Sequence, residues 1–343
     1  MKKRCGIAAA GNWIVDRVKI VDRLPERGML ANIKSVSIST GGAPANVLAD
    51  LARMKVSFPL TGIGVVGDDD DGRLILEKFN SLGVDVENIR SITKAPTSFT
   101  DVMIEEDSGD RTFFHHRGAN AFFSPSDVPV SLLNCKIFHL GYLLLLDAMD
   151  ASEENYGTQA ARLLMNLQKY GIKTSVDVVS EHSDRFKIIV PPALKFVNYL
   201  IVNEIEAGRI VDRKVRNSDN TINPDEIRQT VDELFALGNM EIVAVHMPEG
   251  AYVCTCSGNR CSLGSLILPD SFIKSKVGAG DAFCAGMLYG LHEEWDIEKC
   301  TILATCCAAA SLSHEGASDG LRPLNELLEL ADKFPKRKAP VPV

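Results

Sequence analysis

Short apolar runs alternate with amphipathic helical segments along most of this 343-residue chain. The runs have the length and composition of buried strands, and the segments between them have helical periodicity. The clearest examples are strand Lys136–Leu140, helix Ala151–Tyr170, strand Ile172–Val178, strand Tyr199–Val202, helix Pro224–Leu237 and strand Glu241–His246. Strands that alternate with helices form a mostly parallel sheet covered on both faces. The sequence therefore predicts a three-layer α/β/α fold.

Two stretches break this alternation with short strands that bracket turns. The first pairs Asp16–Lys19 with Ala31–Ser39, and the second pairs Thr97–Ile104 with Arg111–His116. Such hairpins predict a small antiparallel sheet, from about residues 14–40 and 97–117, that stands apart from the main layer. A lid over a ligand cleft is the natural use of this sheet. A subunit contact or simple decoration fits the pattern about as well.

The length of the chain suits one large domain with this accessory sheet, over residues 1–333. The last residues, Phe334–Val343, are rich in Lys, Arg and Pro, which predicts a flexible tail.

Charge and composition exclude several classes of protein. The net charge of −8 repels a phosphodiester backbone, so no nucleic-acid partner is expected. No apolar run approaches the roughly 20 residues of a membrane-spanning helix, so no membrane partner is expected either. Nine scattered cysteines and a start without a signal-peptide pattern predict a cytoplasmic protein. Cys254, Cys256 and Cys261 form one cluster, for which a buried strand is favoured over a metal site because a fourth ligand is missing.

The segment Gly62-Ile63-Gly64-Val65-Val66-Gly67 matches the GxGxxG pattern of dinucleotide-binding proteins. Four consecutive carboxylates, Asp68 to Asp71, follow it at the place where a pyrophosphate would lie. Their repulsion disfavours an NAD-dependent oxidoreductase. A tight turn followed by a helix that begins near Asp69 is the favoured interpretation.

A second glycine motif, Gly278-Ala279-Gly280-Asp281, leads directly into the helical pattern Ala282–Leu291. Small residues at a helix start let consecutive amides point into one concavity, which is typical of a site for phosphoryl oxygens. Asp281 beside such an anion hole can take a proton from an attacking hydroxyl. It can equally be a helix-capping aspartate, and spacing alone does not separate the two interpretations.

A third motif, Gly41-Gly42-Ala43-Pro44-Ala45-Asn46, heads a predicted helix over Ala45–Met54. The paired glycines admit a ligand close to the backbone, and Asn46 carries the donor and acceptor that suit sugar hydroxyls. Taken alone, the motif is better explained as a helix start with a satisfied asparagine.

Together these motifs resemble those of the ribokinase-like carbohydrate kinases, also called the PfkB family. The resemblance rests on Gly11-Asn12 with Asp16, Gly41-Gly42 with Asn46, the Gly67-Asp68 turn, Asn203-Glu204-Ile205-Glu206 for the family's NxxE, and Gly278-Ala279-Gly280-Asp281. They occur in the family's order and roughly its spacing, from near residue 6 to near residue 320. The resemblance implies a main α/β domain with a β lid, and phosphoryl transfer from ATP with Mg²⁺ to an alcohol.

The resemblance also implies a role for each matched residue. Asp281 would be the base, and the amides of Ala279, Gly280 and Asp281 would form the anion hole. Asn203 and Glu206 would order Mg²⁺, mostly through water. Residues implied at the acceptor are Asn12, Asp16, Gly41, Gly42 and Asn46. Residues implied at the nucleotide are Asn203, Glu206, Gly250, Gly278, Gly280, Ala308 and Gly316.

The segment His115-His116-Arg117-Gly118-Ala119-Asn120 ends the second lid hairpin. Members of the family that phosphorylate acidic sugars place an arginine near this position. Arg117 is therefore a candidate for a substrate carboxylate or hydroxyl, although a solvated strand-end charge is slightly favoured. Asn120 is a candidate sugar contact, and the two histidines suit rim or core roles.

The chain departs from the family pattern in two places that affect the chemistry. Ser275-Lys276 stands where the family often has Asp-Thr, whose aspartate helps to bind a monovalent cation, so potassium activation is not expected. We hypothesise that the Lys276 ammonium replaces that charge, and strong activation by added potassium would argue against it. The nucleotide segment at residues 245–250 keeps only Gly250 of the usual TxGxxG.

The sequence thus predicts an ATP-dependent kinase of a small sugar or sugar-like polyol. A nucleoside kinase of the same family is the alternative, because Phe113, Phe114, Phe122 and Phe123 near the lid are suited to stacking on a base. A non-catalytic sugar or nucleotide sensor is the alternative from another class, and the intact Asp281 argues against it. The open edges of the lid sheet predict a homodimer through the lid.

Overall fold

A nine-stranded sheet forms the centre of this computed structural model, which describes residues 3–179 and 184–343. From edge to edge the strands are β15 (Arg260–Gly264), β14 (Gly250–Thr255), β13 (Ile242–Met247), β12 (Tyr199–Asn203), β11 (Lys173–Val178), β8 (Ile137–Leu143), β1 (Ile7–Gly11), β4 (Leu60–Gly67) and β5 (Asp85–Ile92). The strands from β13 to β5 are parallel, and β14 and β15 extend the sheet in antiparallel pairing.

Helices cover both faces of this sheet, and each face has its own hydrophobic core. One core is built with α1 (Ala43–Arg53), α2 (Asp70–Ser81), α8 (Ala279–His292), α9 (Ile297–Ser311), α10 (Leu324–Leu328) and α11 (Leu330–Lys333). The other is built with α3 (Asp147–Asp150), α4 (Gln159–Lys169), α5 (Phe186–Leu194), α6 (Glu204–Val211) and α7 (Pro224–Ala236). Alternate residues of the strands enter the two cores, as expected for a sheet buried on both sides. The predicted three-layer fold is confirmed.

The lid is a separate four-stranded sheet in the order β3 (Ile33–Gly41), β2 (Ile14–Val21), β6 (Ser98–Glu105) and β7 (Arg111–His116). The outer pairs β2–β3 and β6–β7 are antiparallel, as predicted for hairpins, whereas the central pair β2–β6 is parallel. The two predicted hairpins therefore join through a parallel pair of strands. Arg17 ties the lid to the main domain through an ion pair with Asp71 of α2, at 2.6 Å.

The predicted helix over residues 151–170 is shorter in the structure. Residues 152–158 form a small hairpin of β9 (Ser152–Glu153) and β10 (Gly157–Thr158), and α4 begins after it at Gln159. Thr158 caps this helix, because its hydroxyl accepts a hydrogen bond from the Ala161 amide at 3.1 Å. Two-residue strands are too short to produce a periodic pattern, so no sequence pattern predicts them.

The carboxyl-terminal segment, for which a flexible tail is predicted, packs against the sheet edge in the structure. The Ile267 amide donates to the Pro335 carbonyl at 2.7 Å, and the Arg337 amide donates to the Ser265 carbonyl at 2.8 Å. Val341 is fully buried in the core beside α7. The segment therefore covers the outer side of β15, whose edge would otherwise be open.

The glycines of the GxGxxG segment lie in β4, where they make room for a tryptophan. Added Cβ atoms at Gly62 and Gly64 would overlap the ring of Trp13, which is fully buried and donates to the Ile63 carbonyl at 2.9 Å. Asp69 caps α2 by accepting from the Gly72 amide at 2.8 Å. The helix start at Asp70 matches the favoured interpretation, whereas the glycines belong to the strand and not to a turn.

The cysteine cluster lies on the antiparallel extension of the sheet. Cys254 is buried in β14, Cys261 lies in β15, and all nine cysteines are free thiols. Within residues 3–179 and 184–343, no helix combines the length and apolar character needed to cross a bilayer.

Candidate active site

Asp281 lies in the first turn of α8, at the carboxyl ends of the parallel strands. Gly278 precedes the helix with φ of 77°, a left-handed conformation, and a side chain there would overlap the Ala317 backbone. The first helical hydrogen bond runs from the Ala282 amide to the Gly278 carbonyl, at 2.8 Å. The amides of Ala279, Gly280 and Asp281 have no acceptor within the described part of the chain. They are the unsatisfied donors of a helix start, which suit an anion.

Two side chains hold the Asp281 carboxylate. The Asn46 amide nitrogen donates to Oδ2 at 2.8 Å, and the Tyr142 hydroxyl donates to Oδ1 and Oδ2 at 2.9 and 3.1 Å. Burial raises the pKa of Asp281 to about 6, and the two hydrogen-bond donors oppose that shift. A carboxylate with such a pKa is suited to accept a proton near neutral pH.

The Gly41-Gly42 pair brings the start of α1 close to Asp16 and Asn12. A side chain at Gly41 would overlap the Asp16 carboxylate, and one at Gly42 would overlap the Asn12 backbone. Burial raises the pKa of Asp16 to about 6, the Thr100 hydroxyl opposes the shift, and the Asp281 charge adds to it. The half-buried Asp16 therefore lies near the buried pair of Asn46 and Asp281.

Asn12 and Asn120 are both fully buried, and their side chains hold backbone segments. Asn12 accepts from the Tyr142 amide, and its own amide nitrogen donates to the Leu145 carbonyl at 3.5 Å. Asn120 accepts from the Trp13 amide and donates to the Trp13 carbonyl, both at 3.2 Å. The side chain of Asn120 is therefore engaged by the backbone of Trp13.

Arg117 is paired in the structure with the carbonyl of Leu144, which follows β8, and with Asp147 at the start of α3. Its guanidinium contacts the Asp147 carboxylate at 2.7 Å and donates to the Leu144 carbonyl at 3.1 Å. Asp147 is half exposed, so this ion pair is of the weak, solvent-screened kind. Arg185 donates to the same carbonyl at 2.8 Å, so two guanidinium groups meet beside the strand that carries Tyr142.

Asn203 and Glu206 form a capping box at the start of α6. The Asn203 side chain accepts from the Glu206 amide at 2.8 Å, and Glu206 accepts from the Asn203 amide at 3.0 Å. Asp177, at the end of β11, is buried nearby, and its pKa is raised well above the usual range by burial and by the charges of Glu206 and Asp281. Oxygen ligands on an acidic, buried surface match the preferences of Mg²⁺.

An ion-pair cluster around Arg216 holds the segment at residues 245–250. Its guanidinium contacts Glu204 of α6 at 2.6 Å and Glu249, beside Gly250, at 2.9 Å. His246 of β13 lies directly under Gly280, since a side chain added there would come within 3.1 Å of its ring. The turn that departs from the family pattern is thus anchored to the start of α6 and to the loop of Asp281.

Ala308 and Gly316 lie in the part of the chain that follows α8. Ala308 is a half-buried residue of α9, and Gly316 belongs to the turn that leads to Ala317, against which Gly278 packs. Ser275 accepts hydrogen bonds from the Val277 amide at 3.1 Å and from Arg111 of the lid at 3.2 Å, while Lys276 is exposed.

Sequence reasoning missed Tyr142, Asp177 and Lys78. Lys78 of α2 donates to the Thr40 hydroxyl at 2.7 Å, next to the Gly41-Gly42 pair. Asp177 lies in β11 and Tyr142 in β8, each next to the last residue of its strand, and ligands bind at the carboxyl ends of strands in parallel sheets. That position is a signal by which both residues can be found in a sequence.

Comparison with known proteins places the whole architecture in one family. The model of the pfkB family carbohydrate kinase matches residues 6–323. An ATP-dependent ribose-1-phosphate kinase of Halopiger xanaduensis is 29% identical over 313 residues, which cover 91% of this chain and 93% of that protein. A ribokinase of Arabidopsis thaliana is 24% identical over 94% of this chain and 80% of its own length.

Solved structures agree on the fold. The structure of Arabidopsis thaliana ribokinase complexed with ribose and ATP superposes with a TM-score of 0.78, at 22% identity, over 95% of this chain and 98% of that one. A nucleoside kinase from Methanocaldococcus jannaschii gives 0.73, at 17% identity, over 96% and 98%. The chain therefore belongs to the pfkB family of carbohydrate kinases, which phosphorylate sugars or sugar-like substrates with ATP.

Proposed function

We propose that Asp281 is the general base of this kinase and that the amides of residues 279–281 form its anion hole. The observation that supports this most directly is the position of one buried carboxylate in the first helical turn, beside three amides without an acceptor in the described residues. A helix cap alone does not explain the geometry, because the Asp281 side chain contacts Asn46 and Tyr142 from other elements.

The proposed step moves one proton and one phosphoryl group. Asp281 takes the proton of an acceptor hydroxyl, and the oxygen so activated forms a bond to the γ-phosphorus of ATP. The bond between that phosphorus and the β–γ bridging oxygen breaks, and ADP leaves. Charge on the transferring group is met by the amides at the start of α8, where the helix dipole is positive. Little covalent help is needed, because such a transfer depends on position and on charge neutralisation.

Asn203 and Glu206 are the residues that we assign to Mg²⁺, mostly through water. The cation, when bound, neutralises charge on the ATP phosphates. Gly250, Ala308 and Gly316 are assigned to the nucleotide side, together with Gly278 and Gly280. Asp16, Gly41, Gly42 and Asn46 are assigned to the acceptor, with Asn12 and Asn120 holding the backbone around them.

For the acceptor we propose a small sugar or sugar-like polyol. The relative from Halopiger xanaduensis is named for ribose 1-phosphate, which makes pentoses and their phosphates the first compounds to test. Arg117 is the residue that we assign to a negatively charged or hydroxyl group of such an acceptor. A nucleoside is the second candidate, because Phe113 and Phe114 of β7 are exposed on the lid and offer faces for a base.

The test is ADP release from ATP and Mg²⁺ with a panel of pentoses, hexoses, sugar phosphates, sugar acids, inositols and nucleosides. We expect at least one acceptor to support turnover. We expect Asp281→Asn to lower kcat by a factor of about 10² to 10⁴ while ATP affinity stays nearly unchanged, since a positioned base contributes about that much. Glu298→Gln is the control, because Glu298 is an exposed residue at the start of α9.

Equal rates for Asp281→Asn and the unmodified protein would remove this residue from the mechanism. Binding of a sugar or of ATP without any turnover across the panel would support the sensor alternative instead.

A homodimer through the lid is also part of this proposal, supported by exposed apolar side chains on β3.

A further inference from the structure

Tyr142 contacts the carboxylate of Asp281, and no motif in the sequence pointed to it. It lies on β8, one residue after Gly141, and its amide donates to Asn12 while its hydroxyl donates to both oxygens of Asp281. The backbone of Tyr142 is thus tied to the end of β1, and its side chain to the start of α8. Its ring has little freedom to place the hydroxyl elsewhere.

We propose that Tyr142 is a positioning residue for Asp281, whose hydroxyl keeps the carboxylate ionised and leaves one defined direction open to the acceptor hydroxyl. This inference rests on the proposed role of Asp281 as the base.

The two donors to Asp281 restrict the direction from which an acceptor hydroxyl can approach its carboxylate. An ionised carboxylate offers about four acceptor positions. Asn46 takes one on Oδ2, and the Tyr142 hydroxyl is shared between Oδ1 and Oδ2. Two donors on different elements, α1 and β8, fix the plane of the carboxylate. Because the shared hydroxyl occupies one position on each oxygen, a single position on Oδ1 remains for an acceptor hydroxyl, which restricts it to one orientation.

The same two donors also affect the charge of the Asp281 carboxylate. Burial disfavours the ionised form of Asp281, and the donors Asn46 and Tyr142 favour it. The phenol itself stays protonated, because burial and the nearby charges of Asp281 and Asp177 raise the pKa of Tyr142 well above its usual value. Tyr142 therefore acts as a donor over the whole working pH range, and its own proton is not transferred.

Other titratable groups also surround this pair, and a test has to separate them. They are Asp16 of β2, Asp50 of α1, Asp177 of β11, Glu206 of α6, Cys284 of α8 and His246 of β13. Asp16 is the main competitor, because its pKa is also raised to about 6. Tyr142 has hydrogen bonds to Asp281 and none to Asp16 among the described contacts, so removal of its hydroxyl is specific for Asp281.

The experiment is the pH profile of kcat/KM for Tyr142→Phe and for the unmodified protein, with the best acceptor from the panel. We expect the acid limb of the variant to move to higher pH by about one to two units, which is what loss of a hydrogen bond to a buried charge produces. The titration of ATP affects both pH profiles equally, so it does not contribute to the difference between them. Tyr199→Phe is the matched control, because Tyr199 is a buried tyrosine at the amino end of β12, away from Asp281.

An acid limb at the same pH in both proteins would overturn the inference, as would an equal shift in the control. Should Tyr142→Phe not fold, 3-fluorotyrosine placed at position 142 keeps the shape and makes the phenol a stronger donor. The acid limb is then expected to move to lower pH, and an unchanged profile would be contrary to the proposal.

Loss of activity in Asp281→Asn together with an unshifted Tyr142→Phe profile would refute the role of Tyr142 alone. Full activity in Asp281→Asn would refute the proposed base, and this inference with it.

Discussion

Asp50 is another buried carboxyl group beside the site, one helical turn after Asn46 on α1. Neither of its oxygens has a hydrogen-bond partner within the described chain. Its pKa is raised well above the usual range by burial and by the charge of Asp281, against the opposing charge of Arg53. A buried group in this state disfavours the folded protein when it must ionise.

The raised pKa fixes how stability depends on pH. The folded state binds the Asp50 proton more tightly than the unfolded state, so this group's contribution to stability is complete below its ordinary pKa of about 3.8. That contribution is lost as the pH rises from there through the folded-state pKa. We expect Asp50→Asn to be more stable than the unmodified protein at pH 8 by about 1–3 kcal/mol, with the difference shrinking at pH 5.

Urea denaturation at the two pH values measures this difference. Asp70→Asn is the control, because the Asp70 side chain is 98% exposed and its change is expected to stay within about 0.5 kcal/mol. An Asp50→Asn protein that is equally destabilised at pH 5 and pH 8 would contradict the argument.

Residues of the site differ in how far the sequence can define them. Asp281 and Asn46 were identified because small residues precede each one at a predicted helix start. The direct contact between them joins residues 235 positions apart, and no local pattern encodes it. Asn120 shows the same limit, since its engagement depends on the path of the backbone at Trp13. The residue types were therefore predictable, whereas their hydrogen-bond partners depend on the tertiary structure.

The observed bounds of strands and helices agree closely with the predicted bounds where periodicity is strong. The strand predicted over Tyr199–Val202 is Tyr199–Asn203, and the helix predicted over Pro224–Leu237 is Pro224–Ala236. The hairpin of β9 and β10 had no such signal. The basic, proline-rich composition of Phe334–Val343 also gave no indication that this segment packs against β15, because the contacts are mostly made by its backbone.

Val341 provides a test of that packed segment. Its side chain is fully buried, and its amide donates to the Ser262 hydroxyl of β15 at 3.2 Å. We expect Val341→Ala to lower the free energy of unfolding by about 1–3 kcal/mol, from the lost burial of two carbons and the cavity left behind. Val343→Ala, at a side chain 74% exposed, is the matched control and should change stability by less than about 0.5 kcal/mol. Equal, small effects of both changes would indicate that the segment is detached in solution.

The two faces of the lid sheet have different surroundings. Asp16 of β2 and Thr100 of β6 lie opposite each other on the face that looks toward the site. Arg17 and Ile38 are paired on the other face, where Arg17 reaches Asp71 of α2. Val36 and Ile38 share this outer face and are 60% and 59% exposed. Apolar side chains exposed on an edge strand favour pairing with another chain.

A second copy of the chain is the occupant that we propose for the outer face of the lid, because a symmetric dimer buries the same patch on both subunits. Sedimentation velocity at micromolar concentration is expected to show a dimer. The double substitution Val36→Asp with Ile38→Asp should shift it to the monomer, since four carboxylates would then face each other across the two-fold axis. Ser35→Asp with Ser37→Asp is the matched control, because these exposed residues lie on the same strand with the opposite orientation. A monomeric unmodified protein, or dissociation by the serine variants alone, would exclude a contact through the outer face.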